Sequence, residues 1–600
     1  MSIVRLKKAT VVGIARDRHD ILAGLQELGC MHLIPLQKKP HTLEEQQTAA
    51  ASETVKALRY LRESPVKRRQ VPYDQGFDIY DVTEWTLRNQ DNRRRIMDRI
   101  DELRQRLRDL EPWGDFSFAP LEEMAGQRLW FYTLPREKLK HLDDLHLPWQ
   151  VVHIDPSIAW VVIISPDEPP HDALPVPRTH TGSNPLRHVR EELEALEIEL
   201  DEIEAERQSL TRWITLIMKY MARAEDKAEL EFALSHSAEG DVCFAVQGWI
   251  PEDRIEDMVA FADRMELAVI LEDPAPDDEP PTLLRTPQRI SAGEDLVSFY
   301  QMPSYRGWDP SRILFFSFSL FFAMILSDAG YAALLGLLLA GFWRKLGRSE
   351  GGRRWRVLMA LIVTTSIIWG AMAGSYFGLE PPQGNWLSRI KIVDLNDFDT
   401  MMKLSVSIGA IHLAMANAQM VMLWWGHRRA GVHIGWIVVL LGGMTIWLGG
   451  TGGMPNATSI GGGLLGMGLL AVFFFSGTQR VDSLKGFLIR VLQGLQALTS
   501  FTKIFGDVLS YLRLFALGLA SASLALTFND LARQVATSSE GLGLLAAILI
   551  LLIGHALNLA LALISGVVHG LRLNYIEFYN WGLSGEGYPF RAFRKKELNE

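Results

Sequence analysis

Hydrophobic positions along the chain follow two rhythms. From residue 1 to 310, apolar residues come in short strand-like runs and helical repeats, set among dense Glu, Arg and Asp. From 311 to 578 they merge into long Leu, Ala, Gly and Phe stretches. The first rhythm belongs to elements solvated by water, the second to membrane helices.

In the first half, "KATVVGIA", "RHDILAGLQELG" and "CMHLIPL" read as strand, helix, strand. The pattern returns in "RLWFYTLP", "REKLKHLDDL" and "WQVVHI...AWVVIIS", and again in "CFAVQGWIP", "EDRIEDMVAFADRM" and "ELAVILEDP". Three such units predict small α/β lobes. Between them, Ile96, Ile100, Leu103, Leu107 and Leu110 step by 4, 3, 4, 3, as do Leu186, Val189, Leu193, Leu196, Leu200 and Ile203 in the mirrored order. After Arg207 the seam resumes at Leu210, Ile214, Ile217 and Met221. Such seams bury themselves against a partner helix. The expected fold class of residues 1–310 is therefore α+β: small α/β lobes joined by a long antiparallel coiled-coil hairpin. The expected pieces are a proximal lobe (1–40 plus 240–275), the hairpin (43–127 and 185–235), a distal lobe (128–170) and a Pro- and Asp-rich linker (273–310).

In the second half, apolar stretches fall at 313–343, 357–378, 404–425, 434–450, 459–477, 504–532 and 541–579. Basic residues gather in 344–356, 426–433, 479–490 and the tail, whereas 379–400 is net acidic. If 313–343 crosses once, every basic connection lies outside. If it turns back near Asp328, all lie inside, as the positive-inside rule requires. The expectation is a polytopic all-α domain over 311–600 with about eight transmembrane helices and both termini cytoplasmic. Each half of 313–343 then offers only about 22 Å of helix to a core of about 30 Å. The last two spans are overlong, which implies tilt.

Polar residues inside these spans carry the candidate chemistry. His555, Asn558, Ser565, His569 and Arg572 line one face of the last span, with Ala562 filling the gap. Arg513 sits one turn after Ser510 on the preceding span, with Asp507 two turns before it. Ala516, Ala520 and Ser523 follow on one side, with Gly518 and Ala522 nearby, and small side chains let another helix approach closely. A buried arginine costs from about 2.5–3.5 to about 10–17 kcal/mol and cannot escape by deprotonating. Two arginines on adjacent spans therefore suggest an aqueous path or a carboxylate to meet. Plainer readings stand beside this one. Arg572 can snorkel to the interface, and Arg513 can pair structurally with Asp507 or Asp328. His412 and His555 can be hydrogen-bonded packing residues, and Asp328 a turn or helix end. Glu577 steps off the stripe, towards the cytoplasmic interface.

Composition removes other classes. The formal charge of −9 is mild, and basic residues alternate with acids, so no nucleic-acid partner is expected. Cys30 and Cys243 lack zinc spacing and read as buried free thiols. The N-terminal apolar run is too short for a signal peptide. No phosphate-binding loop, HExxH or nucleophile elbow is present, and "GGG" at 461–463 reads as helix packing. No catalytic residue, cofactor or metal is expected.

"DVLSYLRLFALGLA" followed by "VVHGLRLNYIEFY" resembles the membrane stator subunit of V-type and A-type rotary ATPases, called subunit a or subunit I, in its prokaryotic version. "FFAMILSDAGYAALLG" and "IIWGAMAGSYFG" are similar to that family's early spans. The resemblance implies a subunit that is not an enzyme by itself, in a prokaryotic inner membrane. It implies a proteolipid ring against the membrane half and peripheral-stalk subunits at both lobes. It also implies indirect links to the central-stalk cap subunit and the ATP-hydrolysing head. Arg513 then keeps each arriving ring carboxylate ionised, with Arg572 similarly placed, while proton or sodium flow couples to ATP hydrolysis or synthesis. Asp507, Ser510, His555, Asn558, Ser565, His569 and Glu577 are the candidate lining of two ion half-channels. Eukaryotic members carry an acid about three turns before the second arginine, where this chain has Ala562. The alternative is a stand-alone secondary transporter with a regulatory cytoplasmic domain, which would need an internal repeat of broken helices.

Overall fold

The computed structural model describes residues 2–36, 44–74, 76–117, 122–143, 145–170, 174–182, 185–240, 242–382, 384–395, 397–452, 456–477, 484–538 and 542–596. In chain order the first half holds β1 (Leu6–Ile14), α1 (Arg18–Leu28), β2 (His32–Ile34), α2 (Glu44–Arg62), α3 (Ile79–Leu110), β3 (Arg128–Pro135), β4 (Trp149–Ile154), β5 (Ile158–Ser165), α4 (Leu186–Leu210), α5 (Ile214–His236), β6 (Ala238–Glu239), β7 (Cys243–Pro251), α6 (Ile255–Arg264), β8 (Ala268–Glu272) and α7 (Ala292–Tyr300). The second half is helical: α8 (Ser311–Leu326), α9 (Ala329–Leu346), α10 (Glu350–Ala373), α11 (Phe398–Leu423), α12 (Arg428–Thr451), α13 (Ala457–Ser476), α14 (Leu484–Ser510), α15 (Leu512–Ser538), α16 (Leu542–Arg572) and α17 (Tyr579–Gly582).

The chain divides into two compact units. One comprises Leu22–Glu27, Gln37–Ser237 and Arg594–Glu600. Here α3 and α4 pack antiparallel, burying Ile96, Ile100, Leu103 and Leu110 with Leu186, Val189 and Ile203. Arg93–Glu204 (2.5 Å), Arg99–Glu192 (2.7 Å) and Arg104–Glu197 (2.7 Å) flank the seam. The break in the heptad at Arg207 is a buried polar joint. Its guanidinium stacks 4.1 Å over the Tyr60 ring and donates to the Tyr60 carbonyl at 2.7 Å. A buried polar group of this kind tolerates only one register. The three-stranded sheet runs β3-β5-β4 around Trp130, Leu134, Val161 and Ile163. The helix expected after β3 is a 3-10 turn, Arg136–Leu142, because Leu142 alone among its residues is buried and one anchor does not sustain an α-helix.

The other unit comprises Met1–Ile21, Leu28–Leu36 and Ala238–Phe593. Its sheet has the order β2-β7-β1-β8, with β6 on β7, all antiparallel. The alternation in "LKKATVVGI" buries Ala9, Val11 and Gly13 on one face, and Leu6 at the start of the strand is buried as well. The segment expected as a linker is packed instead. Leu283 accepts from the Val4 amide (2.9 Å), Thr282 donates to Tyr588 (2.8 Å), and the Gly587 amide donates to Met302 (2.9 Å). Arg285 pairs with Asp253 at 2.5 Å and holds that carboxyl below its usual range. Pro and Asp locally favour loop, but the pairing partners are Val4, Asp253 and the distant tail, beyond any local pattern. Both cysteines are free thiols, yet only Cys30 is buried; Cys243 is exposed at the start of β7, contrary to expectation. Burial pushes the Cys30 thiol up to about 11.

Among the described residues, six helical stretches are long and apolar enough to cross a membrane: Glu350–Ala373, Phe398–Leu423, Arg428–Thr451, Ala457–Ser476, Leu484–Thr537 and Leu542–Gly582. The stretch 313–343 is two helices. Ser327 adopts a left-handed conformation (φ 48°) between them. At one end α7 touches Ser311, and Asp295 of α7 pairs with Arg354 of α10; at the other, Trp369 of α10 donates to Ser327 at 3.2 Å. So α8 runs with α10. Gly370 lies against Ala329, and Gly336 against Val363, so α9 runs against α10. The chain thus reverses at Ser327–Asp328.

Helices α12 and α13 meet along glycines. A Cβ on Gly442 would lie 2.9 Å from the Gly461 carbonyl, and one on Gly468 would lie 2.7 Å from the Gly435 carbonyl. Of the "GGG" run, Gly461 is thus a packing residue, whereas Gly462 and Gly463 face open space. The span read as 504–532 belongs to a longer element. α14 begins at Leu484, so Lys485 and Arg490 are helical rather than part of a loop, and Arg480 lies outside the described residues. An amphipathic helix carrying Lys485, Arg490, Lys503 and Asp507 leaves no continuous apolar run to read.

Candidate functional site

The α14–α15 element is interrupted at Tyr511, which is fully buried and 2.8 Å from Nδ1 of His412. The break places Arg513 in the first turn of α15. At the far end of α16, Leu573–Phe578 forms a π-helical turn. Five of its residues (Leu573, Asn574, Tyr575, Glu577 and Phe578) are buried. The widened turn brings Glu577 inward, and π-turns recur at functional positions. Glu577 is 3% exposed. Ser510 Oγ donates to Glu577 Oε1 at 2.5 Å, and Arg513 Nη2 donates to Ser510 Oγ at 3.1 Å. Arg513 Nη1 lies 3.8 Å from the same carboxylate oxygen. Arginine, serine and glutamate thus form one triad between the two long helices.

The two other pairings open to Arg513 are not made. Asp507 accepts from Trp581 Nε1 at 2.7 Å. Asp328, 2% exposed, is a helix cap. Its Oδ1 accepts from the Tyr331 (2.9 Å) and Phe377 (3.0 Å) amides, and its Oδ2 from the Gly378 amide (2.9 Å) and the Ser375 hydroxyl (2.6 Å). With four donors aimed at it, this carboxylate ties α9 to the turn after α10.

The stripe on α16 divides once packed. The buried row is Gly554, Asn558, Ala562, Gly566 and Gly570. A Cβ on Gly566 would lie 2.7 Å from the Phe322 ring of α8, and one on Gly554 2.3 Å from Phe528 of α15, so glycine is what permits this closeness. Of the polar stripe, Asn558 is buried, whereas His555, Ser565 and His569 are half-buried at its edge. Arg572 is exposed and forms no ion pair among the described residues. On α15, Ala516, Ala520 and Ser523 are exposed as expected, while Gly518 is buried against the Met324 carbonyl.

A second polar cluster involves residues that the apolar-run reading passed over. The Tyr331 hydroxyl is 2.6 Å from His555 Nδ1 and accepts from Asn558 Nδ2 at 3.1 Å. His555 Nε2 is 3.1 Å from Asn529 Oδ1, and Asn558 also donates to the Ser521 carbonyl at 2.9 Å. One sequence signal was available: Asn529 follows the apolar run of α15 and Tyr331 opens that of α9. Their convergence on His555 needed the helix packing.

No family model matches the chain. It is 25% identical over 671 residues to a V-type ATP synthase subunit I of Chlamydia pneumoniae, covering 100% of this chain and 98% of that one. A V-type ATP synthase subunit I of Treponema pallidum is 25% identical over 99% of this chain and 100% of its own. An A-type ATP synthase subunit I of Methanocaldococcus jannaschii is 28% identical over 67% of this chain and 64% of its own. A crystal structure of the cytoplasmic N-terminal domain of subunit I, homolog of subunit a, of V-ATPase, aligns with 44% of this chain and 99% of its own at 16% identity. Its TM-score of 0.21 is too low to bear on the fold. With six candidate spans among its described residues, this chain is similar along its whole length to proteins named subunit I of V-type ATP synthases.

Proposed function

We propose that the chain is the ion-translocating stator of a rotary ATPase, pressed against a rotating ring of proteolipids. The observation that carries this is Arg513: a permanent cation at the head of α15, from which Ala516, Ala520 and Ser523 continue as an exposed small-residue face. A ring helix can approach that face closely. Each ring carboxylate reaching Arg513 is held in its charged form and releases its ion. Arg572, exposed on α16, serves as the second cation.

Counting α8 and α9 as separate crossings gives eight spans. The soluble half, the basic connection 344–356, Arg428 and Arg429, and the tail basic residues then share the cytoplasmic side. The inner ion path runs past Asp507, Ser510 and Glu577. The outer path runs past Asn529, His555, Tyr331 and Asn558, with Ser565 and His569 between the two. This polar chain does the work of the acid absent at Ala562. The N-terminal half, read as two lobes on a helical hairpin, anchors the peripheral stalks, and the head and central-stalk cap connect through them.

The test is Arg513→Ala in the complete reconstituted complex. ATP-driven ion uptake should vanish while the subunit still copurifies with the proteolipid ring and nucleotide-binding subunits. Undiminished uptake would refute the proposal, and a chain that purifies alone and transports alone would favour the secondary transporter.

A further inference from the structure

A cavity of about 790 Å³ lies between α8, α9, α10 and α16, and no residue of the Arg513 triad lines it. Its walls are apolar, with Phe318, Leu339, Leu358 and Leu563 among them. Residues of α8, α9, α10 and α16 all line it, and α9 and α16 are joined by the Tyr331–Asn558 hydrogen bond. The end at the α9–α10 connection differs in character. There Lys345, Ser349 and Trp355 reach the cavity.

The charges at that end are unbalanced. Its nearby acids, Glu350 and Asp295, both engage Arg354, at 2.9 and 3.6 Å. Lys345 and Arg356 form no ion pair among the described residues; each lies over an aromatic ring, Phe342 at 6.0 Å and Trp343 at 4.8 Å. Arg356 Nε is buried without a hydrogen-bond acceptor, and its guanidinium reaches Gly347 beside the Ser349 cap of α10. A helix start adds further partial positive charge at this spot. An apolar slot lined at one end by Lys345, with Arg356 and the first turn of α10 beside it, matches a molecule with hydrocarbon tails and an anionic head.

We propose that this cavity holds one anionic phospholipid, with its acyl chains between α9 and α16 and its phosphate against Lys345, Arg356 and the first turn of α10. A zwitterionic lipid would bring its own cation to a site already positive, so the charge selects the anionic class.

The full chain is purified into nanodiscs made from equal amounts of phosphatidylglycerol and phosphatidylcholine, then released and weighed by native mass spectrometry. The wild type should retain one phosphatidylglycerol in preference to phosphatidylcholine. Lys345→Gln should lower that preference about tenfold, the loss of one charge-assisted contact. Leu339→Trp, which fills the slot, should lower retention of both lipids. Equal retention of the two lipids by the wild type would overturn the proposal, as would an unchanged preference in Lys345→Gln. If a helix of a partner subunit fills the slot, the assembled complex would retain no lipid there, and the proposal would fall.

Discussion

Glu577 and Arg513 meet across two helices, and their interaction can be measured as a coupling. At 3.8 Å and an effective dielectric constant near 20, the charge–charge attraction is about 4 kcal/mol. Arg513 keeps 22% of its side chain exposed while Glu577 keeps 4%, so part of that attraction is screened. A coupling of about 2–4 kcal/mol is expected from the cycle Arg513→Gln, Glu577→Gln and the double variant. Each single change leaves one buried charge without its partner and should cost about 3–5 kcal/mol. The double change should cost less than the sum, because glutamines at both positions strand no charge. Ser510→Ala, which removes the hydroxyl between the two, should cost about 1 kcal/mol. Equilibrium unfolding of the full chain in mixed micelles reads all of these. Additive losses, with a coupling under about 0.5 kcal/mol, would refute the view that Glu577 is the fixed partner of Arg513.

Asp328→Asn puts an amide donor where two of four donors now find an oxygen, and should destabilise the chain by about 2–4 kcal/mol in thermal unfolding, against about 1 kcal/mol for Ser375→Ala; equal losses would contradict the cage. The thiols should separate under alkylation near pH 8, with Cys243 labelled and Cys30 spared, as read by peptide mass spectrometry. Because the Cys30 thiol is raised to about 11, its reactive thiolate is scarce below that pH and appears only as pH climbs towards it. Equal labelling of both thiols near pH 8 would show that Cys30 is accessible.

Local patterns carried a large part of the fold. β1 alternates as "LKKATVVGI" does, and Ile96, Ile100 and Leu103 are buried on the seam their spacing marks. The reversal near Asp328 was legible because the positive-inside rule needed it. α14 was only partly legible: its polar residues interrupt the apolar run, though its amphipathic period was available to a helical reading. The 3-10 turn after β3 replaced an expected helix because a single buried leucine does not support one.

By itself the sequence determined the division into a charge-rich half and an apolar half, and the placing of Arg513 and Arg572 on two successive long helices. Those features are local, since a membrane helix satisfies its backbone hydrogen bonds within its own segment and shows itself in consecutive residues. Tertiary structure alone decided that Ser510 meets Glu577, 67 positions away, that Tyr331 meets His555, and that residues 282–302 are laced to the tail. Each of these depends on how helices or strands distant in sequence are rotated and shifted against one another. That geometry is set by packing, such as the close approach at Gly554 and Gly566, and not by the periodicity of any one segment.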